Sequence, residues 1–255
     1  MTPMSGRRAG QRFDAEYGVT TEAMFFLSDI DGEHLDRDAV RHATHYEPVA
    51  IDDFEQIMEH VPEHVIRDAT FVDVGCGLGR AVFLAMRYPF KRIVGIELSS
   101  GLYESCRSNL RAYARFPVKC ADVRFVNGDA RKFDYPSGDL VLFLYNPFDA
   151  EALRETLAQV ARRENAVRTW LLYHTPEHAE TADACGYLRL GVPEYVAVAL
   201  PVDVQKDAHR HEVRQDRAAA VAHERQGDAG DRHDADGHAD VDEDVEGEHR
   251  DESAR

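Results

Sequence analysis

Phe71-Val72-Asp73-Val74-Gly75-Cys76-Gly77-Leu78-Gly79-Arg80 decides how this chain is read. A run of apolar and β-branched residues stops at Gly75 and a helical pattern starts at Arg80. Three glycines therefore occupy a strand-to-helix turn, where the missing Cβ lets the backbone bend sharply and approach a ligand. A nucleotide-like ligand is implied. A dinucleotide fingerprint would need GxGxxG, but Arg80 stands in the third glycine's place counted from Gly75, and Val82 counted from Gly77. The pattern is GxGxG instead, with the acidic Asp73 just ahead of the first glycine.

Outward from this turn, short apolar runs alternate with helical patterns, which predicts a parallel sheet covered on both faces. The expected strands are Thr70 to Val74, Arg92 to Glu97, Val123 to Asn127, Leu140 to Tyr145, Thr169 to Tyr173, Tyr187 to Leu190 and Tyr195 to Leu200. Expected helices are Arg80 to Tyr88, Leu102 to Arg115, Ala150 to Arg163 and Glu177 to Ala184, the last begun by Pro176 in its first turn. Ile51, Phe54, Ile57 and Met58 space an amphipathic helix from Ile51 to Glu59. The second strand ends in Gly95-Ile96-Glu97, and a carboxylate there can accept hydrogen bonds from both hydroxyls of a ribose. The fourth strand delivers Asn146-Pro147-Phe148 to the same edge of the sheet.

Asp73 with Gly75, Gly77 and Gly79, then Glu97, then Asn127-Gly128-Asp129-Ala130, resemble in order the motifs of class I S-adenosylmethionine (SAM) methyltransferases. The resemblance implies a Rossmann-like, doubly wound α/β sheet of seven strands in the order 3-2-1-4-5-7-6, the last strand antiparallel, with a small N-terminal helical cap. It also implies SAM as cofactor, with Asp129 accepting from the adenine amine and Ala130 beside it. Tyr145-Asn146-Pro147-Phe148 is similar to the Asn-Pro-Pro-Tyr/Phe motif of amino-group methyltransferases, where the Asn and a Pro carbonyl hold the acceptor amine and an aromatic packs beside it. Asn146, Pro147 and Phe148 are thereby the candidate catalytic residues. One proline of that motif is missing here, which argues against a flipped nucleobase as acceptor. The stretch from Phe13 to Leu200 also resembles a bacterial group of class I methyltransferases of unassigned substrate, through Phe13-Asp14, Tyr17-Gly18-Val19-Thr20, Tyr46-Glu47-Pro48, Tyr88-Pro89-Phe90 and Tyr173-His174-Thr175-Pro176. In that likeness Tyr46 belongs to a lid over the methionine end of SAM. The implied reaction is methyl transfer to an acceptor atom, nitrogen by the likeness of the motif, on a protein lysine or another amine. A small-molecule N- or O-methyltransferase and a non-catalytic SAM-binding module stand as alternatives.

The chain has 255 residues, with 47 Asp/Glu against 30 Lys/Arg and a formal net charge of −17. So negative a chain repels phosphate backbones, which argues against nucleic acid as a partner. No apolar stretch approaches a membrane span, and no apolar region follows Arg7 and Arg8, so a cytoplasmic protein is expected. From Asp203 to Arg255 there are 17 Asp/Glu and 8 Lys/Arg but no Leu, Ile, Met, Cys or aromatic residue. Such a segment cannot bury enough apolar surface to offset its ordering entropy, and a disordered, acidic, His-rich tail is expected. The expected organisation is a flexible leader over 1–12, the cap over 13–60, the SAM-binding domain over 61–202 and the tail over 203–255. Cys76, Cys106, Cys120 and Cys185 contain no CxxC pair and read as reduced thiols. His60-Val61-Pro62-Glu63-His64 and His174-Thr175-Pro176-Glu177-His178 match a zinc-protease pattern, but a proline between the histidines breaks the helix that would align them, so no metal site is expected. His42 and His45 are expected to face solvent, and no general base is evident.

Overall fold

The computed structural model describes residues 4–25, 41–43, 46–192 and 195–199. Seven strands, β1 (Thr70–Val74), β2 (Arg92–Glu97), β3 (Val123–Asn127), β4 (Gly138–Leu144), β5 (Ala166–Tyr173), β6 (Leu188–Arg189) and β7 (Tyr195–Ala199), form one sheet in the order β3-β2-β1-β4-β5-β7-β6. Strands β1 to β5 pair in parallel, whereas β7 runs antiparallel to both β5 and β6. This is the expected Rossmann-like order.

The helices are α1 (Met4–Tyr17), α2 (Ile51–Met58), α3 (Glu63–Asp68), α4 (Arg80–Ala85), α5 (Ser100–Tyr113), α6 (Ala150–Ala161) and α7 (Ala179–Ala184). They cover both faces of the sheet, so successive residues of one strand enter opposite cores. Every residue of β1 is buried. Its Phe71 joins Phe54, Phe83, Phe143 and Trp170 in one layer, while Val72 and Val74 join Leu142, Leu144, Leu153 and Leu157 in the other. No helix among the described residues is long and apolar enough to cross a membrane.

Register places the site. Val74 lies opposite Ile96 on one side and Leu144 on the other, and Glu97 lies opposite Asn127. Four strands thus end at one level. The chain crosses from β1 towards β2 and β3 on one side and reaches β4 and β5 on the other, and the crevice opens where the connections diverge.

Several boundaries differ from the sequence reading. The stretch expected as a flexible leader over 1–12 is helical from Met4 onward. Phe13, only 3% exposed, anchors α1 by stacking on Tyr113 at 5.9 Å, and Arg80 sits 5.1 Å over its ring. α4 stops at Ala85 because Arg87 and Tyr88 donate to the carbonyls of Leu84 and Ala85, a three-residue spacing that tightens the last turn. Pro176 does not begin α7. Thr175 takes a left-handed φ of 41°, and the helix starts only after His178. Cys76, Cys106 and Cys120 are buried free thiols and Cys185 is half-buried. The acidic segment 203–255 and His45 lie outside the described residues.

Candidate functional site

At the strand ends one cavity is lined by Val74, Gly75 and Gly77 from the β1 turn, Ile96, Glu97 and Leu98 from β2, Gly128 to Arg131 after β3, and Tyr145, Pro147 and Phe148 after β4. The N-terminal segment closes it with Phe25, His42, Ala43, Tyr46 and Glu47. The structure therefore brings together Gly75, Gly77, Glu97, Asp129, Ala130, Tyr46, Pro147 and Phe148 of the expected site. Three expected residues are not in the wall: Asp73, Gly79 and Asn146.

The glycines are needed for close approach. A Cβ at Gly77, whose φ is +53°, would lie 2.1 Å from Tyr46 Cδ2, and one at Gly75, φ +73°, would lie 2.6 Å from Pro147 Cβ. The turn is thus pressed between the cap and the β4 loop. Glu97 is buried beneath it and holds it from below, Oε2 accepting from Gly77 N–H at 2.7 Å and Oε1 from Ser99 N–H at 2.9 Å. Asp73 lies behind the turn, buried. Burial first, then the charge of Glu97, pushes its carboxyl up to about 8. Burial and the neighbouring carboxylate thus favour the neutral acid over an anion facing the ligand.

Asp129 has a partner that the sequence did not foretell. Its oxygens accept from Arg131 Nε and Nη2, the latter at 2.7 Å, and from the Arg131 backbone N–H at 2.9 Å. Burial opposes ionisation, but the Arg131 hydrogen bonds and charge prevail and hold the carboxyl below its ordinary range. Asn146 is also occupied elsewhere. Its amide donates to the Thr175 carbonyl at 2.8 Å and its oxygen accepts from Glu177 N–H at 3.0 Å. With a left-handed φ of 43°, it braces the β5 loop and swings Pro147 and Phe148 into the cavity wall. The side chain that the motif places on an acceptor amine is thus bonded to this loop.

Tyr145 meets Glu47 across the wall. Burial, with the charge and hydrogen bond of Glu47, pushes the phenol up to about 12. Behind it, the His174 ring packs edge-on at 4.6 Å, and burial holds that imidazole below its ordinary range despite Asp53 and Glu47. Arg80 is 2% exposed and donates to Thr21 Oγ1 and to Glu22 Oε2 at 3.1 Å, while Thr21 in turn donates to Asp14 at 2.6 Å. Tyr46 O–H donates to the Thr21 carbonyl at 2.9 Å, so the cap is fastened to the first residue of α4. Glu47 and His42 of the wall, and Arg80, Thr21 and Glu22 outside it, were not named as site residues from the sequence; Tyr46-Glu47-Pro48 was the motif that signalled this part of the wall. Among the described residues no group of three His, Cys, Asp or Glu could hold a metal ion.

The residues fit SAM in chemistry: a carboxylate pre-oriented at the end of β2, a glycine turn whose Gly75 and Gly77 border the cavity, and an aromatic-lined continuation towards Pro147. Residues 71–164 match the family model described as a methyltransferase domain. No curated protein matches the sequence. Among solved structures, a protein of Pyrococcus horikoshii OT3 is 15% identical, with a TM-score of 0.44 over 59% of this chain and 89% of that one. A precorrin-6y C5,15-methyltransferase of Geobacter metallireducens GS-15 is 16% identical, TM-score 0.42, over 58% and 86%. A SAM-dependent methyltransferase of Clostridium acetobutylicum ATCC 824 is 15% identical, TM-score 0.37, over 49% of this chain and 51%, about half, of that protein's length.

Proposed function

We propose that this chain, whose residues 71–164 match a methyltransferase domain, is a SAM-dependent class I methyltransferase that transfers the methyl group to the nitrogen of a low-molecular-weight amine. The observation that carries the reading is Glu47, whose carboxylate engages the Tyr145 hydroxyl in the wall shared with Pro147 and Phe148. An anionic carboxylate among the rings of Phe25, Tyr46, Tyr145 and Phe148 suits a cation, by charge and by the negative faces of the rings. The Ala43–Phe148 bridge and the Tyr46 ring over Gly77 narrow the approach, which favours a small amine over a lysine on a folded protein.

SAM, when bound, supplies an electrophilic methyl on a sulfonium. With SAM bound, Glu97 would hold the ribose through charge-assisted hydrogen bonds, the Gly75–Gly77 turn would face the methionine portion, and Asp129 and Ala130 would border the adenine. Pro147 and Phe148 would position the acceptor, and such positioning supplies most of the rate in a direct displacement. The acidic cavity also disfavours a nucleic-acid acceptor.

The test is incubation of the full chain with methyl-labelled SAM and a cell lysate separated by molecular size. With unspent SAM removed by chromatography, label in the small-molecule fraction that survives both alkali, which cleaves methyl esters, and acid demethylation under conditions that cleave methyl ethers but not N-methyl groups is the expected result. Alkali-labile label, label confined to protein, or no label overturns it.

A further inference from the structure

Arg131 borders the cofactor cavity and also a second cleft, lined further by Lys132, Arg154, Glu155, Ala158 and Arg162. Four cations and one anion thus gather there, in a chain with 47 Asp/Glu against 30 Lys/Arg. Helix geometry makes the cleft. Arg154, Ala158 and Arg162, the residue that ends α6, recur every four positions and so share one face, with only a methyl group between the two guanidiniums. The helical turn Ala130–Lys132 lies beside that face, tied to it by Arg131, which donates to Glu155 Oε2 at 3.2 Å while also holding Asp129. Arg131 is therefore committed inward, and the exposed cations of the cleft are Lys132, Arg154 and Arg162.

The complement to this charge lies in the same chain. The described residues end at Ala199, which pairs with Thr169, and the carbonyl of the preceding Arg168 accepts from Arg163 Nη2 at 3.1 Å. Arg163 follows Arg162, so the chain leaves the body beside the basic end of α6. Further on, Asp228 to Glu252 holds 12 Asp/Glu against 2 Lys/Arg, and Asp240 to Glu248 holds 6 Asp/Glu with no Lys/Arg. The 28 residues between Ala199 and Asp228 span up to roughly 90–100 Å, whereas Arg154 and Arg162 are about 12 Å apart along the helix axis. Reach is no obstacle. A covalently attached partner is also present at a high effective concentration, which an outside polyanion must outcompete, and the net charge of −17 repels such a polyanion from the molecule as a whole.

We propose that the cleft of Lys132, Arg154 and Arg162 is the docking site of the chain's own acidic segment Asp228–Glu252. The attraction runs between side-chain charges and needs no apolar contact, so it suits a segment that has no Leu, Ile, Met or aromatic residue. It is screened by salt, the Debye length falling from about 8 Å at physiological ionic strength to about 3 Å at 1 M. The docking does not depend on the identity of the methyl acceptor.

Lys91, Lys119, Lys132 and Lys206 are the only lysines of the sequence, so carbodiimide coupling of carboxylates to amines reads the docking in the full-length chain. At low salt, tryptic peptides of the cross-linked monomer should include Lys132 joined to the peptide 233–250. Lys91 and Lys119, which do not line the cleft, should couple to that peptide at least ten-fold less. The Lys132 link should fall ten-fold or more in 1 M sodium chloride, and equally in a chain carrying both Arg154→Glu and Arg162→Glu. Both arginines are exposed, and an unchanged melting temperature establishes that this variant is folded; the salt arm needs no variant. The proposal is overturned by the absence of a tail link at Lys132, by equal coupling at Lys91 and Lys119, or by a link that survives the double substitution. A link found only in cross-linked dimers also overturns it, because the cleft would then receive a second copy of the chain.

Discussion

Gly77→Ala tests whether the cap and the glycine turn form one unit. The new Cβ would stand 2.1 Å from Tyr46 Cδ2, where carbon atoms normally settle about 3.5–4.0 Å apart, so the ring must retreat by more than an ångström. That retreat breaks the Tyr46 hydrogen bond to the Thr21 carbonyl, a loss of about 1 kcal/mol. An alanine held at a φ of +53° costs a further ~1–2 kcal/mol. The sum of about 2–3 kcal/mol corresponds to a fall in melting temperature of roughly 5–10 °C for a chain of this size. Thermal unfolding followed by circular dichroism reads this directly. Tyr46→Ala and the double variant complete a cycle. With the ring gone the clash is gone, so the two substitutions should couple by about 1 kcal/mol. Additive effects, or a Gly77→Ala protein that melts with the wild type, would refute the packing of Tyr46 on the turn.

Arg80→Ala should leave Asp14 and Glu22 facing each other in a largely buried site; breaking such a cluster costs about 3–5 kcal/mol, seen as a melting-point loss near 10 °C, and Arg80→Lys should rescue little because one ammonium cannot reproduce the fork to Thr21 and Glu22. A loss within about 2 °C would show that the cluster is not load-sharing. Asp73, raised to about 8 in the fold against ~3.9 unfolded, gives stability that is complete below pH ~4 and lost as pH rises through 8. Asp73→Asn should flatten that decline in melting temperature, and parallel pH curves for the two proteins would contradict it. Asn146→Ala removes both bonds to the β5 loop and strains a φ of 43°, so it should slow transfer while SAM affinity persists. Asn146→Gly, free of the strain, should melt higher than Asn146→Ala if that backbone conformation matters, and lower or equal melting would oppose it.

The sheet was legible because its signals are local. Each of β1, β2 and β3 is bounded by residues that end a strand, and the glycine turn and Glu97 sit where those boundaries put them. What escaped reading depends on pairings between distant segments. Nothing near His42 announces Asp149, 107 positions away, whose carboxylate lies 2.7 Å from its Nδ1, so the histidine read as solvent-facing although its side chain is only 13% exposed. Arg80 registered as the glycine missing from a dinucleotide fingerprint, whereas in the fold it is the buried cation that holds Asp14, Thr21 and Glu22. Between Met4 and Phe13, α1 carries no large apolar side chain, and helix formation there depends on docking of Phe13 against Tyr113 and Arg80 rather than on local pattern. Asn146 was read by its motif, but the capture of Thr175 and Glu177 by its amide depends on a loop some thirty residues on.

Calorimetric titration of SAM into the wild type and Glu97→Ala tests the central assignment most directly. Two hydrogen bonds to a charged acceptor, each about 1.5–3 kcal/mol, should vanish with the carboxylate, so affinity should fall roughly 100-fold or more. The same substitution releases the Gly77 and Ser99 amides, so the melting temperature should be recorded beside the titration to establish that the variant is folded. A folded Glu97→Ala protein that binds SAM as tightly as the wild type would contradict the account, because the ribose would then lie elsewhere than the end of β2.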